Sequence, residues 1–309
     1  MQGRTVLLWC LSVTLSVLGI VAHAQTTVQN IAVLKSHDIE PFNQALAGFL
    51  GACGSRMTEH ELRGSKDKQR SIVQSVVATR PQLILALGTV AAQIAKEMVQ
   101  DIPVVFCMVP SPHKYGLEGK NIAGISLDIP IRTQFARYKA LLPALKTLGV
   151  IYDPAKTGAL VTEASGVAEH LGLRLLAAPA ASQKDVPGAL RSMLGKIEAL
   201  WMVPDETIVT PESFQFFLLT AFENHLPFLA VSDIFVQVGA LASLTPDYTD
   251  MGRQGCQLAR EMESGQWHQR EVNIVPPMKV NLAINLNTAS KIGLTLSPEI
   301  IQSASKVYR

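Results

Sequence analysis

The sequence predicts an α/β protein of two similar lobes, each a parallel sheet covered by helices. Short apolar runs alternate with helix-period stretches along almost the whole chain. The runs are apolar at nearly every position, as strands covered on both faces are, rather than at every second one. The alternation then restarts with similar content after residues 126–131. A chain of 309 residues also lies where one hydrophobic core usually gives way to two.

Residues 1–24 read as a cleaved secretory signal. Arg4 supplies a positive start, "TVLLWCLSVTLSVLGIV" an apolar core, and "AHA" before Gln25 the small-residue cleavage site. Trp9 precedes Cys10 where lipid attachment wants a small residue, so the expectation is an exported soluble protein in the periplasm.

The first series runs from the strand "NIAVLK" to a helix in "EPFNQALAGFLGACG", where Phe42, Leu46, Phe49 and Leu50 share a face. It continues through "LILALG", the helix "TVAAQIAKEMVQ" and the strand "IPVVFCMV". "NIAGISLDIP" resembles a further strand, and Pro130 suits the first turn of a helix carrying Phe135, Tyr138, Leu141 and Leu145.

The second series reads "TLGVIYD", a helix around "GALVTEASGVAEHLG", "LRLLAA", a helix around "VPGALRSMLGKI", "EALWMV", a helix from Pro211, "LPFLAVS" and "GALASL". "YTDMGRQGCQLAREMESG" is then a helix with Met251, Leu258 and Met262 on one face and Gly265 as its stop. "EVNIVPPMKVNLAINL" and a last helical stretch follow, and periodicity leaves their lobe open.

Composition removes several classes of function. The formal charge of +2 loses one arginine with the signal, and no clustered basic face suggests a nucleic-acid partner. No later segment is apolar for long enough to span a bilayer. The motifs HExxH, GxSxG, GxGxxG and GxxxxGK[ST] are absent, and the seven histidines show no metal-ligand spacing with the cysteines. No enzyme, metal or cofactor is indicated. Beyond the signal the cysteines are Cys53, Cys107 and Cys256, an odd number that leaves at least one thiol unpaired. Cys107 in "IPVVFCMV" and Cys256 in its helix read as small buried hydrophobes rather than as a disulfide or a nucleophile.

Ligands of open parallel sheets bind beyond the carboxyl ends of the strands. Those ends carry Ser36, His37 and Asp38; Gly88 and Thr89; Ser111; Asp153; Asp205, Glu206 and Thr207; and Ser232 with Asp233. Several have plain alternatives: a tight turn and helix cap for Gly88-Thr89, turn chemistry for Asp153 before Pro154, a solvated loop for His37. Asp205 and Glu206 are not needed as caps, because Thr210, Pro211 and Glu212 already start the next helix. They are therefore expected to be free to meet a ligand, with a solvated acidic loop the even alternative. On that reading Asp205→Ala weakens binding without unfolding the chain. A carboxylate there and a helix N-terminus at Thr89 would together suit an amino-acid-like ligand.

The blocks "PQLILALGTVAAQIA", "DIPVVFCMVPSP", "NIAGISLDIP", "ALWMVPDETIV", "LPFLAVSDIFVQVGALASLTPDYTDMGRQGCQLA" and "NLAINLNTASKIGL", in that order, resemble the ABC-transporter substrate-binding proteins that include binders of tryptophan and other aromatic amino acids. The resemblance covers the chain from about residue 30 to its end. It implies a type I periplasmic-binding-protein fold, two Rossmann-like lobes joined by three crossovers around a ligand cleft. The crossovers would fall at 128–131, 239–248 and 273–281. One lobe would hold residues 25–129 with about 245–275, the other 130–244 with about 276–309. Ligand contacts would come from Ser36, His37, Gly88, Thr89, Ser111, Asp205, Thr207, Ser232 and Asp233.

Two positions depart from the family's common pattern: Ser111-Pro112 replaces Asp-Pro, and Asp205-Glu206-Thr207 replaces Asp-Asn-Thr. The function implied is a monomeric exported solute-binding protein that hands a small amino-acid-like ligand to an ABC permease in the inner membrane. A sensory module signalling to a membrane receptor would use the same cleft. A hydrolase or transferase is disfavoured by the missing motifs.

Overall fold

A computed structural model describes residues 30–54, 56–265 and 273–309; the signal read in residues 1–24 lies outside them. The first lobe opens with β1 (Ile31–Lys35), α1 (Glu40–Cys53), β2 (Met57–Glu61), α2 (Lys66–Ala78), β3 (Leu83–Leu87), α3 (Thr89–Met98), β4 (Val104–Val109) and β5 (Ile122–Ser126). The second lobe contains α4 (Ile131–Leu141), β6 (Thr147–Tyr152), α5 (Pro154–His170), β7 (Arg174–Pro179), α6 (Val186–Met193), β8 (Ala199–Trp201), α7 (Pro211–Glu223), β9 (Phe228–Ala230), α8 (Asp233–Gln237) and β10 (Ala242–Pro246). The chain then gives α9 (Tyr248–Glu263), β11 (Ile274–Val275), β12 (Val280–Asn285), α10 (Leu286–Lys291), α11 (Pro298–Ser303) and β13 (Lys306–Tyr308).

Two sheets result. The first has the order β11-β5-β4-β3-β1-β2, the second β13-β12-β10-β9-β8-β6-β7. All pairings are parallel except that of β10 with β12. Each sheet thus reverses its order once, between β1 and β3 and between β6 and β8, the arrangement of a doubly wound sheet. The mixed α/β, two-lobed class read in the sequence is the class observed.

Burial explains the unbroken apolar runs. In β1, Ile31 and Val33 pack among residues of α1 and α9, whereas Ala32 and Leu34 pack among residues of α2 and α3. In β6, Leu148 and Val150 face α4 and α5 while Ile151 faces α6 and α7. With both faces covered, no position is left for alternation.

Helix α9 lies against α1, β4 and β5, far back in the chain. Glycines allow the approach: a Cβ on Gly252 would fall 1.9 Å from the Ala45 carbonyl oxygen, and one on Gly48 1.9 Å from that of Thr249. The same two helices carry a disulfide between Cys53 and Cys256, with Cα atoms 5.7 Å apart. This corrects the reading of Cys256 as a simple buried hydrophobe. The bond spans 203 positions and becomes possible only when α9 returns to α1. Cys107 remains a free, buried thiol, and burial pushes it up to about 12.

Candidate functional site

The carboxyl ends of both sheets are bridged by hydrogen bonds at the points where strand order reverses. In the first lobe, Gly88 occupies the cap position of α3 with φ +88. A side chain there would meet Phe42 at 2.6 Å and the Ser36 hydroxyl at 2.7 Å, so the turn needs glycine for both conformation and space. Ser36, arriving from the loop after β1, supplies the missing cap. Its Oγ accepts the Ala91 N–H at 3.0 Å, and its own N–H donates to the Leu87 carbonyl. The cap expected of Thr89 is therefore provided by a residue more than fifty positions earlier, and Thr89 begins the helix. Thr89 is half-buried and its hydroxyl has no hydrogen-bond partner among the described residues.

The second lobe has a denser bridge. Asp205 is buried, with 1% of its surface exposed, and its carboxylate accepts four hydrogen bonds. The N–H of Asp153 and the hydroxyl of Thr157 donate to Oδ2 at 2.8 and 2.5 Å. The N–H groups of Thr207 and Ile208 donate to Oδ1 at 2.9 and 3.2 Å. Both oxygens are saturated, so the expectation that Asp205 is free to meet a ligand is corrected. The acid was not needed as a helix cap because it folds its own loop and ties it to the loop after β6.

Asp153 is likewise more than a turn residue. It accepts the Ala155 N–H as the cap of α5, and the Thr207 hydroxyl at 2.7 Å on its other oxygen. The Thr207 hydrogen bond holds its carboxyl below the ordinary aspartate value, and the Ala155 N–H adds to this. Glu206 points into solvent within 3.8 Å of Lys156.

The remaining candidates divide between engaged and open groups. Ser111 adopts φ +44, and its N–H donates to Asp128 at 2.7 Å; Asp128 also accepts from the Ser126 hydroxyl. The loop after β4 is thereby anchored to the first crossover, through a residue the sequence reading passed over. His37 is exposed on the loop after β1. Ser232 precedes α8 without capping it. Asp233, with about a quarter of its side chain exposed, pairs with Lys306 on β13. The sequence signal for Lys306 was weak, because "SKVYR" is too short to read as a strand.

The other two crossovers run side by side. The Asp247 N–H donates to the Lys279 carbonyl at 3.0 Å, the Lys279 ammonium lies 3.3 Å from Asp250, and Gln254 holds the backbone at Pro276 and Met278. Among the described residues no group of histidine, cysteine and acidic side chains could hold a metal ion.

Two doubly wound lobes, joined by crossing segments of the chain and presenting polar loops from the carboxyl ends of their sheets, make up the fold that solved structures of two-lobed substrate-binding proteins share with this chain. The chain belongs to the ABC transporter substrate binding protein family, whose pattern matches residues 55–308. A "tyrosine-binding protein" of Clostridioides difficile is 29% identical over 205 residues, 64% of this chain and 59% of that protein; the match thus spans under two thirds of its relative. Among solved structures, the ligand-free, open form of a substrate-binding protein with adhesive properties from Clostridium difficile has a TM-score of 0.75 at 20% identity, over 91% of this chain and 99% of that one. The ABC domain of Streptococcus pneumoniae in complex with L-Trp has a TM-score of 0.60 at 23% identity, over 90% and 99%.

Proposed function

We propose that this chain is the solute-binding component of an ABC-type importer, exported to the periplasm after removal of residues 1–24. It captures an aromatic amino acid of the tyrosine and tryptophan class in a cleft between its lobes and presents it to a permease in the inner membrane. The observation that carries the proposal is the pair of bridged switch points, one at the carboxyl end of each sheet, in a chain of the substrate-binding family. The names of a tyrosine-binding relative and of a neighbour complexed with L-Trp support the ligand class.

In this reading residues 25–129 with about 245–275 form one wall, and 130–244 with about 276–309 the other. Ser36, Gly88, Asp205 and Thr207 shape the loops. Thr89, His37, Ser111, Ser232 and Asp233 offer the groups that meet the ligand. The protein acts as a monomer and without turnover: a ligand touching both walls favours the closed arrangement by its differential affinity.

A thermal-shift screen of residues 25–309 against amino acids, purines, sugars and small peptides tests this. L-Tyrosine or L-tryptophan raises the melting temperature by mass action. If the aromatic amino acids leave the curve unmoved while another class shifts it, the ligand assignment falls.

A further inference from the structure

Lys306 lies in a part of the chain that reads as a C-terminal tail, yet sheet register carries it level with the carboxyl end of β9. It pairs with Ala283 of β12, Ala283 with Ser243 of β10, and Ser243 with Ala230, the last residue of β9. Asp233 follows β9 by three residues, and its carboxylate contacts the Lys306 ammonium. Neither group is shut away: Lys306 exposes 59% of its side chain and Asp233 26%. A pair intended only to lock β13 would gain little from so much contact with water.

Tyr248 links this corner of the second sheet to the first lobe. It opens α9, and its ring packs against the first-lobe core formed by α1, β3, β4 and α9. Burial raises its hydroxyl pKa, and the Asp233 charge raises it further while Lys306 opposes. Tyr248 also stands two positions after Pro246, the last residue of β10, whose Ser243 is level with Ala230 of β9, so the chain itself carries this first-lobe side chain to the end of the second sheet from which Asp233 emerges.

We propose that Asp233 and Lys306 together form the head-group site for a zwitterion, Asp233 receiving the α-ammonium and Lys306 the α-carboxylate of a free amino acid. This rests on the reading above that the ligand is an aromatic amino acid. It relocates both charges of that ligand to one corner, in place of Asp205 and the α3 N-terminus. Two opposite charges side by side match the dipole of a zwitterion, and each is satisfied in the empty protein by the other. A ligand carrying one charge alone leaves one member of the pair without a partner.

Calorimetry with L-tyrosine, tyramine (no carboxylate) and 3-(4-hydroxyphenyl)propionate (no ammonium) on the wild type, Lys306→Met, Lys306→Arg and Asp233→Asn tests the site. The wild type favours L-tyrosine over both analogues. Lys306→Met binds L-tyrosine about 10–100-fold more weakly while tyramine binding is kept or improved, so the preference for the amino acid collapses. Asp233→Asn gives the mirror result with the propionate, and Lys306→Arg restores the preference. Retained tyramine binding also shows that Lys306→Met is folded. If Lys306→Met keeps the wild-type ratio of L-tyrosine to tyramine, the site is overturned and the importer reading stands. If the wild type binds neither L-tyrosine nor L-tryptophan, the ligand reading falls and takes the site with it.

Discussion

The hydroxyl of Thr207 donates to Oδ2 of Asp153 at 2.7 Å, joining the loops after β8 and β6 across the point where the second sheet reverses its order. That hydrogen bond is the largest cause of the lowered Asp153 pKa. A carboxyl group depressed in the folded state adds stability that is complete above its unfolded value and is lost as the pH falls through the folded one. Thr207→Val accordingly brings Asp153 back towards its ordinary value of 3.8, which lowers stability above that pH and makes its fall on acidification shallower. Carboxyl titration by NMR measures the change, and an Asp153 curve unmoved in the variant rejects it.

Asp205→Ala strips an acceptor from four donors: the N–H groups of Asp153, Thr207 and Ile208 and the hydroxyl of Thr157. Leaving buried donors unpaired costs about 2–5 kcal/mol in all. Urea unfolding should show that loss directly, with any weakening of ligand binding a consequence of the loosened loops. A full-stability variant that no longer binds would instead make Asp205 a ligand contact.

Removing the cap of α3 from the neighbouring loop has a smaller effect. Ser36→Ala costs about 1 kcal/mol, the usual value for a lost N-terminal cap. Gly88→Ala costs more, because its Cβ meets Phe42 and Ser36 at 2.6 and 2.7 Å and its φ of +88 strains any side chain. Thermal melts of the two variants should rank in that order; equal melting temperatures would show that the turn relaxes freely.

Cys53→Ser together with Cys256→Ser, or reduction of the native protein, lowers stability by about 2–5 kcal/mol, as expected for a bond closing a long loop. In the folded protein Cys107 stays unlabelled by thiol reagents, since burial holds its thiol near 12. Melting with and without reductant, combined with thiol labelling before and after denaturation, checks both halves.

Glycines of α1 and α9 are not equivalent. Gly51→Ala meets nothing within 4 Å and gains about 0.5–1 kcal/mol from helix propensity. Gly48→Ala and Gly252→Ala push a methyl onto backbone oxygen at 1.9 Å and separate α1 from α9 at a cost of about 1–3 kcal/mol or more. Denaturant midpoints of the three variants should therefore change sign between Gly51 and the other two.

Much of the fold was legible because strands buried on both faces leave unmistakable apolar runs, as in "LILAL" and "VVFCMV". The strand β2, "MTEHE", and the following α2 escaped notice, since an edge strand is polar and α2 buries few residues. Among site residues, positions at strand ends were recognisable, but not their roles. Asp205 looks the same in a sequence whether it faces a ligand or four donors of its own loops. Asp128, Thr157 and Lys306 gain their partners only through folding, at separations of 17, 48 and 73 positions. Cys53 and Cys256 were hidden for the same reason, at 203.

The pairing of α1 with α9 also sets a timetable. The core of the lobe begun at residue 31 includes Met251, Leu258 and Ala259, which leave the ribosome only after the whole second parallel series has been made. The lobe that is started first is thus the last to be completed, and until α9 arrives it exposes the apolar face of α1 and the seam of β4 and β5 that α9 covers. The delay is written into the connectivity of the chain, with the bond between Cys53 and Cys256 closing only once α9 has docked.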